Sequence, residues 1–279
     1  MTMAQKLPVF DVSATGIAGR VALITGGGRN IGRAVALTLA GAGAVPVIMF
    51  NEDEGTARSV ADEIIAAGGR SGIVRADLAD IAQCQAAVKK VAAEFGDIDI
   101  LINNAAVRPH SKISQISLEE WDRVLSVNLR APFFLSQAVL PAMVRKKWGR
   151  IINMGGSDGY NGKPRRAHGV SSKMGLVGLT RALANEVAQF GVTVNIVVPG
   201  TIDTQRPHPE WYPGVENGFA ARMTRVAMGR QGRSQEVANA CLFLASDLAT
   251  YTTGQEMFVT GGAPPIVRQP EEEYPAGEF

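Results

Sequence analysis

Short apolar runs alternate along the chain with longer segments in which apolar residues recur at helical spacing. Mostly apolar runs of this length predict buried strands, and they fall at residues 21–25, 45–50, 71–76, 98–102, 150–154, 192–198 and 256–259. Between two of them, Ile81, Cys84, Val88, Val91 and Phe95 share one helical face. The predicted helices are one that ends near residue 43 and others at about 54–67, 81–95, 118–145, 170–190 and 234–246.

Strands that alternate with helices of this length predict a parallel sheet covered on both faces. We therefore expect an α/β fold of the Rossmann type, a doubly wound parallel sheet of about seven strands with helices on both faces. A single domain over residues 20–262 accounts for the pattern. It leaves an N-terminal extension at 1–19, a C-terminal extension at 263–279 and a loop-rich insert at 201–230, which we assign to the substrate side.

Composition narrows the classes of function. The chain has 279 residues, of which 46% are hydrophobic and 19% charged, and its formal net charge is +2. A charge so small and dispersed gives no reason to expect a nucleic-acid partner. No apolar run approaches the roughly 18–20 residues of a membrane span, and the N-terminus lacks a signal-peptide pattern. We expect a cytoplasmic protein that acts on a small molecule, without a membrane partner.

A glycine-rich turn separates the first strand from the first helix. Its sequence is Thr-Gly-Gly-Gly-Arg-Asn-Ile-Gly at residues 25–32. In a strand–turn–helix context, such a turn lets the backbone approach the phosphates of a dinucleotide at a helix N-terminus. Asn30 is compatible with this turn, because Asn tolerates positive φ better than other non-glycine residues. The predicted phosphate-binding residues are Gly26, Gly28, Arg29, Asn30, Ile31 and Gly32.

Further motifs follow in a fixed order, and together they resemble the short-chain dehydrogenase/reductase (SDR) family over about residues 18–262. The turn resembles TGxxxGxG with Asn30 at the middle glycine, residues 103–106 resemble NNAG, and residues 195–204 resemble NxVxPGxIxT. The resemblance implies a nicotinamide cofactor and a homo-oligomer, a tetramer or dimer. It also implies cofactor contacts from Asp77, Leu78, Asn104, Ala105, Ala106, Lys173, Pro199, Gly200, Ile202 and Thr204.

The end of the second strand bears on the choice of cofactor. NAD-dependent enzymes of this fold usually place an acid there, which bonds the adenosine ribose. Here the position is Phe50, followed by Asn51, and a base, Arg29, lies in the glycine turn. These residues favour NADP(H). Glu52 and Asp53 lie close by in sequence, so NAD(H) is the alternative.

The catalytic segment departs from the family pattern. The resemblance implies a Ser that orients the substrate carbonyl, a Tyr that is the general acid/base, and a Lys that lowers the pKa of the Tyr and bonds the nicotinamide ribose. Gly156 stands at the Ser position and Gly169, 13 residues later, stands at the Tyr position, whereas Lys173 is retained. Glycine cannot transfer a proton, so another group replaces the Tyr or the reaction is a different one.

Several groups are candidates for the missing functions. His168 directly precedes the vacant position and Tyr160 follows the fifth strand, so either is a candidate proton donor. A water held by Asn128 and Lys173 is a third candidate, since the resemblance assigns Asn128 to a proton-relay water. The hydroxyl of Ser157 is expected to replace the missing Ser through a one-residue bulge.

Basic and histidine side chains in the neighbouring loops suggest an anionic substrate. The predicted substrate-binding residues are His110, Arg165, Arg166, His208 and Trp211. The three histidines show no helical pair of metal-ligand spacing, so no metal site is expected. The favoured function is an NADP(H)-dependent oxidoreductase acting on a carbonyl/alcohol pair. The alternatives are a non-redox lyase, hydrolase or dehydratase on the same scaffold, and an inactive binding protein.

Overall fold

The structure is a computed structural model that describes residues 15–204 and 226–262. The strands are β1 (Val21–Thr25), β2 (Val45–Phe50), β3 (Gly72–Arg75), β4 (Ile98–Asn103), β5 (Gly149–Met154), β6 (Val192–Pro199), β7 (Ile202–Asp203), β8 (Gly232–Arg233) and β9 (Glu256–Val259). The helices are α1 (Asn30–Gly41), α2 (Glu54–Ala66), α3 (Ile81–Phe95), α4 (Leu118–Leu125), α5 (Ala131–Lys146), α6 (Asp158–Asn161), α7 (Ala167–Val187) and α8 (Ser234–Ala245).

Seven of these strands form one parallel sheet in the order β3-β2-β1-β4-β5-β6-β9. The strand order reverses between β1 and β4, which is where ligands bind in doubly wound sheets. The predicted Rossmann-type fold, a parallel sheet of seven strands with helices on both faces, is confirmed.

Two apolar clusters hold the helices against the sheet. One contains residues of α1, α2 and α8, and the other contains residues of α3, α5 and α7. β1, β4, β5 and β6 are buried along their full length, which explains why their sequences are apolar rather than alternating. Cys84 and Cys241 are free and buried.

The helical region predicted over residues 118–145 is interrupted. Ser117 caps α4 by accepting a hydrogen bond from the backbone N–H of Glu120, and a π-helical turn over Ser126–Arg130 separates α4 from α5. Asn128 lies inside this turn and is buried. Single π turns of this kind are frequent at functional sites.

Two boundaries differ from those expected. Ile17, assigned by sequence to the N-terminal extension, is fully buried in the core beside α8, and the backbone N–H of Asp247 donates to the carbonyl of Thr15. Residues 15–19 therefore belong to the folded body. The predicted insert begins with β7, which pairs with β8 in a small separate sheet, and its residues 205–225 lie outside the described part of the chain.

Candidate active site

A cleft of about 580 Å³ opens at the carboxyl ends of the sheet strands. All the residues predicted to bind the cofactor line it, namely Gly26, Gly28, Arg29, Asn30, Ile31, Gly32, Phe50, Asn51, Asp77, Leu78, Asn104, Ala105, Ala106, Lys173, Pro199, Gly200, Ile202 and Thr204. Residues up to 178 positions apart in sequence thus meet at the β1/β4 reversal point.

The glycine turn forms one wall of the cleft. Gly26 and Asn30 adopt positive φ angles of 64° and 51°, so Asn30 takes the conformation expected of it. A Cβ at Gly32 would overlap the carbonyl oxygen of Gly26 and lie 2.7 Å from Nδ2 of Asn104. α1 begins directly after Arg29, with no acidic residue in its first turn and no side-chain cap. Its first N–H groups and the close-packed turn fit the pyrophosphate of a dinucleotide.

Hydrogen bonds between β1 and β4 fix the turn in place. Oγ1 of Thr25 accepts from the backbone N–H groups of Asn104 and Ala105, each at 3.0 Å. The side-chain amide of Asn104 donates to the carbonyls of Thr25 and Gly26 at 3.0 and 3.1 Å. This network explains why the NNAG-like segment and the glycine turn occur together.

The outer end of the cleft contains the residues that are expected to contact the adenosine part of the cofactor. Phe50 ends β2 and Asn51 follows it, and neither offers a carboxylate. The carboxylate of Asp53 caps α2 by accepting from the N–H of Thr56 at 3.0 Å. That hydrogen bond lowers the pKa of Asp53, and the charge of Arg29 acts in the same direction.

Asp77, one of the predicted cofactor contacts, is paired with a residue that the sequence did not indicate. Its carboxylate accepts from Nη1 of Arg123 at 2.8 and 3.0 Å and from the N–H of Ala79 at 2.9 Å. Arg123 belongs to α4 and also lines the cleft. No motif relates positions 77 and 123, so this contact was found only from the fold.

Lys173 lies at the inner end of the cleft. Its Nζ donates to the carbonyl of Met154 at 2.6 Å. Burial lowers the pKa of Lys173 to about 7, and the charge of Arg108 contributes. Arg108 lines the cleft as well. No carboxylate of the described residues pairs with Nζ, and an amine with a pKa of about 7 exists in both protonation states near neutral pH.

Space surrounds the two glycines at the Ser and Tyr positions. A Cβ at Gly169 would meet no atom within 4 Å, and a Cβ at Gly156 would meet only Cγ of Lys173, at 4.0 Å. Gly169 precedes Lys173 by one helical turn of α7, so both lie on the same face of that helix. Among the described residues, no side chain occupies the space where a larger side chain at position 169 would begin.

The structure does not bring Tyr160 to the cleft, contrary to the expectation from its position after β5. Its ring packs edge-on against Phe258 with the centroids 4.9 Å apart, and its hydroxyl donates to Oε2 of Glu256. Burial and this carboxylate raise the pKa of Tyr160 well above its usual value. Tyr160 is therefore directed towards β9, and it is a poor proton donor.

His168 is likewise directed away from the cleft. It is fully buried, its Nε2 lies 2.8 Å from Oε1 of Glu120, and its Nδ1 accepts the N–H of Gly169. Because Nδ1 accepts a hydrogen bond, the ring proton lies on Nε2, which donates a hydrogen bond to the carboxylate of Glu120. Nε2 thus joins α7 to α4 and Nδ1 is engaged within α7, which leaves neither ring nitrogen for a ligand.

Asn128 and Ser157 have structural contacts. The Asn128 amide exchanges two hydrogen bonds with the backbone of Val107 at 2.9 Å and donates to Oγ of Ser172 at 3.2 Å. Asn128 therefore links the π turn to the segment that follows β4 and to α7, and it is a positioning residue. The N–H of Ser157 donates to the carbonyl of Pro199, and Ser157 is not among the described residues that line the cleft.

Three of the five predicted substrate-binding residues belong to the described part of the chain. Arg165 lines a second, smaller cavity, and Arg166 is buried and donates to the carbonyl of Arg108 at 3.0 Å. His110 lies close enough to both arginines for their charges to lower its pKa. His208 and Trp211 lie outside the described residues.

The comparisons with known proteins agree with this geometry. A family model described as enoyl-(acyl carrier protein) reductase matches residues 26–264. The chain belongs to the short-chain dehydrogenase/reductase family, whose members are NAD(P)-dependent oxidoreductases.

The regions matched in known relatives span almost the full length of each relative. The 3-oxoacyl-(acyl-carrier-protein) reductase of Escherichia coli K12 is 40% identical over 244 residues, which is 88% of this chain and 97% of the relative. A candidate NAD(P)-dependent gluconate 5-dehydrogenase of Beutenbergia cavernae, with NADP at low occupancy, is 37% identical with a TM-score of 0.82 and covers 88% of this chain and 97% of its own. A 3-oxoacyl-(acyl-carrier-protein) reductase of Agrobacterium tumefaciens C58 with NADP bound is 31% identical with a TM-score of 0.83, covering 90% and 97%.

Two kinds of feature are absent from the described residues. No helix there is long and apolar enough to cross a membrane. Within the same residues, no group of three or more His, Cys, Asp or Glu side chains is arranged to hold a metal ion.

Proposed function

We propose that this protein is an NADP(H)-dependent oxidoreductase that interconverts a small carbonyl compound and its alcohol, with a lysine in place of the usual tyrosine as the proton donor. The observation that carries the proposal is the position of Lys173 in the same cleft as the dinucleotide cradle. The family supplies the reaction class, and the relatives' names offer two substrate chemistries, a 3-oxoacyl thioester and a sugar acid.

The preference for NADP(H) is supported by three features. Two structural relatives were crystallised with NADP. Arg29 lines the cleft, and Phe50 and Asn51 offer no acid that would repel a 2′-phosphate. The nearby Asp53 is engaged in capping α2. Glu52 also lines the cleft, and NAD(H) is kept as the alternative cofactor.

Arg29→Gln is expected to raise KM for NADPH about tenfold, because it removes one charge-assisted contact to the 2′-phosphate. KM for NADH, which lacks that phosphate, is expected to change less than about twofold. Steady-state kinetics with both cofactors measures the two values. Arg33→Gln is the matched control, since Arg33 lies one turn further on, in α1, and pairs with Glu63 at 2.6 Å. Equal effects of Arg29→Gln on both cofactors would contradict the assignment.

The replaced catalytic positions are part of the proposal. Gly156 and Gly169 stand where the family pattern has Ser and Tyr, and the open space at both is consistent with side chains lost from an active site. Tyr160 and His168, the two side-chain candidates, have their polar atoms engaged elsewhere, and a water held by Asn128 and Lys173 stays an alternative proton donor. Lys173 is the remaining titratable candidate of the catalytic segment.

The proposed role of Lys173 is that of a general acid in reduction and a general base in oxidation. A bound nicotinamide supplies or accepts the hydride at the carbonyl carbon. The protonated Nζ donates its proton to the carbonyl oxygen, which becomes the alcohol, and the neutral amine then takes a proton from water. A pKa of about 7 suits this exchange, because a general acid works best when its pKa is near the operating pH. The carbonyl of Met154 orients Nζ.

A non-redox reaction on the same scaffold is the second candidate. It is favoured by the absence of both the Ser and the Tyr. Such an enzyme would form product without changing the redox state of its cofactor. An inactive binding protein is less well supported, since a site without function has no reason to keep Lys173 in the cleft.

The experiment combines binding with turnover. NADPH and NADH are titrated by fluorescence, and NADPH consumption is then followed with a panel of 3-oxoacyl thioesters and keto sugar acids for the wild type and Gly169→Tyr. We expect turnover in the wild type and a stable Gly169→Tyr variant, since that position is open. Tight NADPH binding with turnover only in Gly169→Tyr would contradict the proposed role of Lys173.

We also propose a homo-oligomer built on α5 and α7. Phe133 on α5 and Met174 on α7 are 38% and 40% exposed in the single chain, and burial of such side chains against a second copy would remove apolar surface from water.

The cytoplasmic location stays a prediction from the sequence.

A further inference from the structure

A second cavity, of about 500 Å³, lies beside the cofactor cleft. One wall is formed by residues 111–113 after β4, and the other by residues 162–170 before and within the first turn of α7. The cavity includes none of the residues that bind the proposed dinucleotide. It is therefore available to a different ligand group.

The two walls are joined to each other and to the catalytic cleft. The N–H of Ser111 donates to the carbonyl of Arg165 at 3.1 Å, and Arg165 holds a positive φ of 60° that non-glycine residues rarely adopt. Nη1 of Arg166 donates to the carbonyl of Arg108. Arg108 lines the cofactor cleft near Lys173. The cavity thus adjoins the inner end of the cleft, where the substrate is expected.

Positive charge is in excess around this cavity. Lys112, Lys163 and Arg165 line it. Two carboxylates in this region are engaged. Asp158 lies 3.5 Å from Lys163 and offsets part of its charge, and Glu120 accepts from Ser111 and binds His168. α7 starts here with no acidic residue in its first turn, so its dipole adds to the positive potential.

The same positive charges act on His110. Burial lowers the pKa of His110, the charges of Arg166, Arg165 and Lys163 lower it further, and the charge of Asp158 raises it. Its Nδ1 is buried and makes no hydrogen bond to any described residue. The lowered pKa disfavours the protonated form of His110 beside the cavity.

We infer that the cavity lined by Lys112, Lys163 and Arg165 binds the anionic end of the substrate, a carboxylate or a phosphate. The inference rests on the proposed function only for its role in turnover. The binding site itself is defined by these three cations on walls that are otherwise largely apolar, and the cations can provide charge-assisted hydrogen bonds to either anion. An anion there would present the remainder of the molecule to the adjoining inner end of the cleft.

The test measures binding without turnover, so its outcome is independent of whether the protein is an oxidoreductase. The full chain is titrated by calorimetry with D-gluconate as a carboxylate probe and with inorganic phosphate. The test variant combines Lys112→Gln, Lys163→Gln and Arg165→Gln. The control variant combines Lys89→Gln, Lys90→Gln and Arg145→Gln, which removes the same charge from side chains that line neither cavity. Thermal melting checks that both variants fold.

We expect the Kd of at least one probe to rise about tenfold or more in the test variant and to stay unchanged in the control. Loss confined to D-gluconate identifies a carboxylate site, and loss confined to phosphate identifies a phosphate site. Absence of binding to the wild type, or equal binding by the wild type and both variants, would overturn the inference. NADPH affinity, measured in parallel, is expected to be the same in all three proteins.

Discussion

Lys173→Met is expected to lower kcat/KM for carbonyl reduction by about 10²–10⁴-fold, the range that a general acid contributes. Met fills a similar volume but carries no proton. Nζ is the proposed donor because it lies in the cleft and because the residue one helical turn earlier, Gly169, has no side chain. The affinity for NADPH is expected to fall much less, since the glycine turn provides most of the proposed cofactor contacts.

The pH dependence separates proton donation from a purely structural role of Lys173. The protonated amine is the active form in reduction, and its pKa is about 7. kcat/KM for reduction should therefore be constant at lower pH and fall about tenfold per pH unit above about 7. For alcohol oxidation the slope is reversed. Lys173→Met should lose this limb, and Lys173→Arg should not restore it, because guanidinium stays protonated. Activity of Lys173→Met within about threefold of wild type would contradict the assignment.

Gly32→Ala is expected to weaken NADPH binding by at least about 100-fold, which corresponds to about 2.7 kcal/mol. The added Cβ would overlap the carbonyl of Gly26 and crowd Nδ2 of Asn104. The turn must shift to relieve the overlap, and the N–H groups that face the phosphates shift with it.

Gly41→Ala is the matched control for that substitution. Gly41 belongs to the same helix, and a Cβ there meets no atom within 4 Å, so NADPH affinity should be unchanged. Fluorescence titration gives both Kd values, and circular dichroism verifies the fold. Unchanged NADPH affinity in Gly32→Ala would mean that the dinucleotide does not use this turn.

Much of the fold could be predicted because the sheet is buried on both faces. A strand such as Val192–Pro199 is apolar nearly throughout, and that run is visible without any knowledge of its partners. The cofactor cleft was predictable for a related reason. The glycine turn and the 103–106 segment follow strands directly, and the ends of parallel strands meet at one edge of the sheet.

The catalytic side of the cleft could not be predicted in the same way. His168 and Tyr160 are close to the vacant position in sequence, but their directions depend on Glu120 and Glu256, which are 48 and 96 residues away. The Asp77–Arg123 ion pair joins a strand exit to a helix and likewise leaves no local pattern. Side-chain direction in loops and first helical turns is set by tertiary contacts, so proximity in sequence was misleading here.

The most direct test of the proposed redox function is the transfer of deuterium from C4-deuterated NADPH to the product, measured by mass spectrometry with the 3-oxoacyl thioesters and keto sugar acids of the panel. We predict one deuterium on the carbinol carbon of the product alcohol and one NADPH oxidised for each alcohol formed. Product that carries no deuterium, formed while NADPH is not consumed, would contradict the proposal and assign this scaffold to a non-redox reaction.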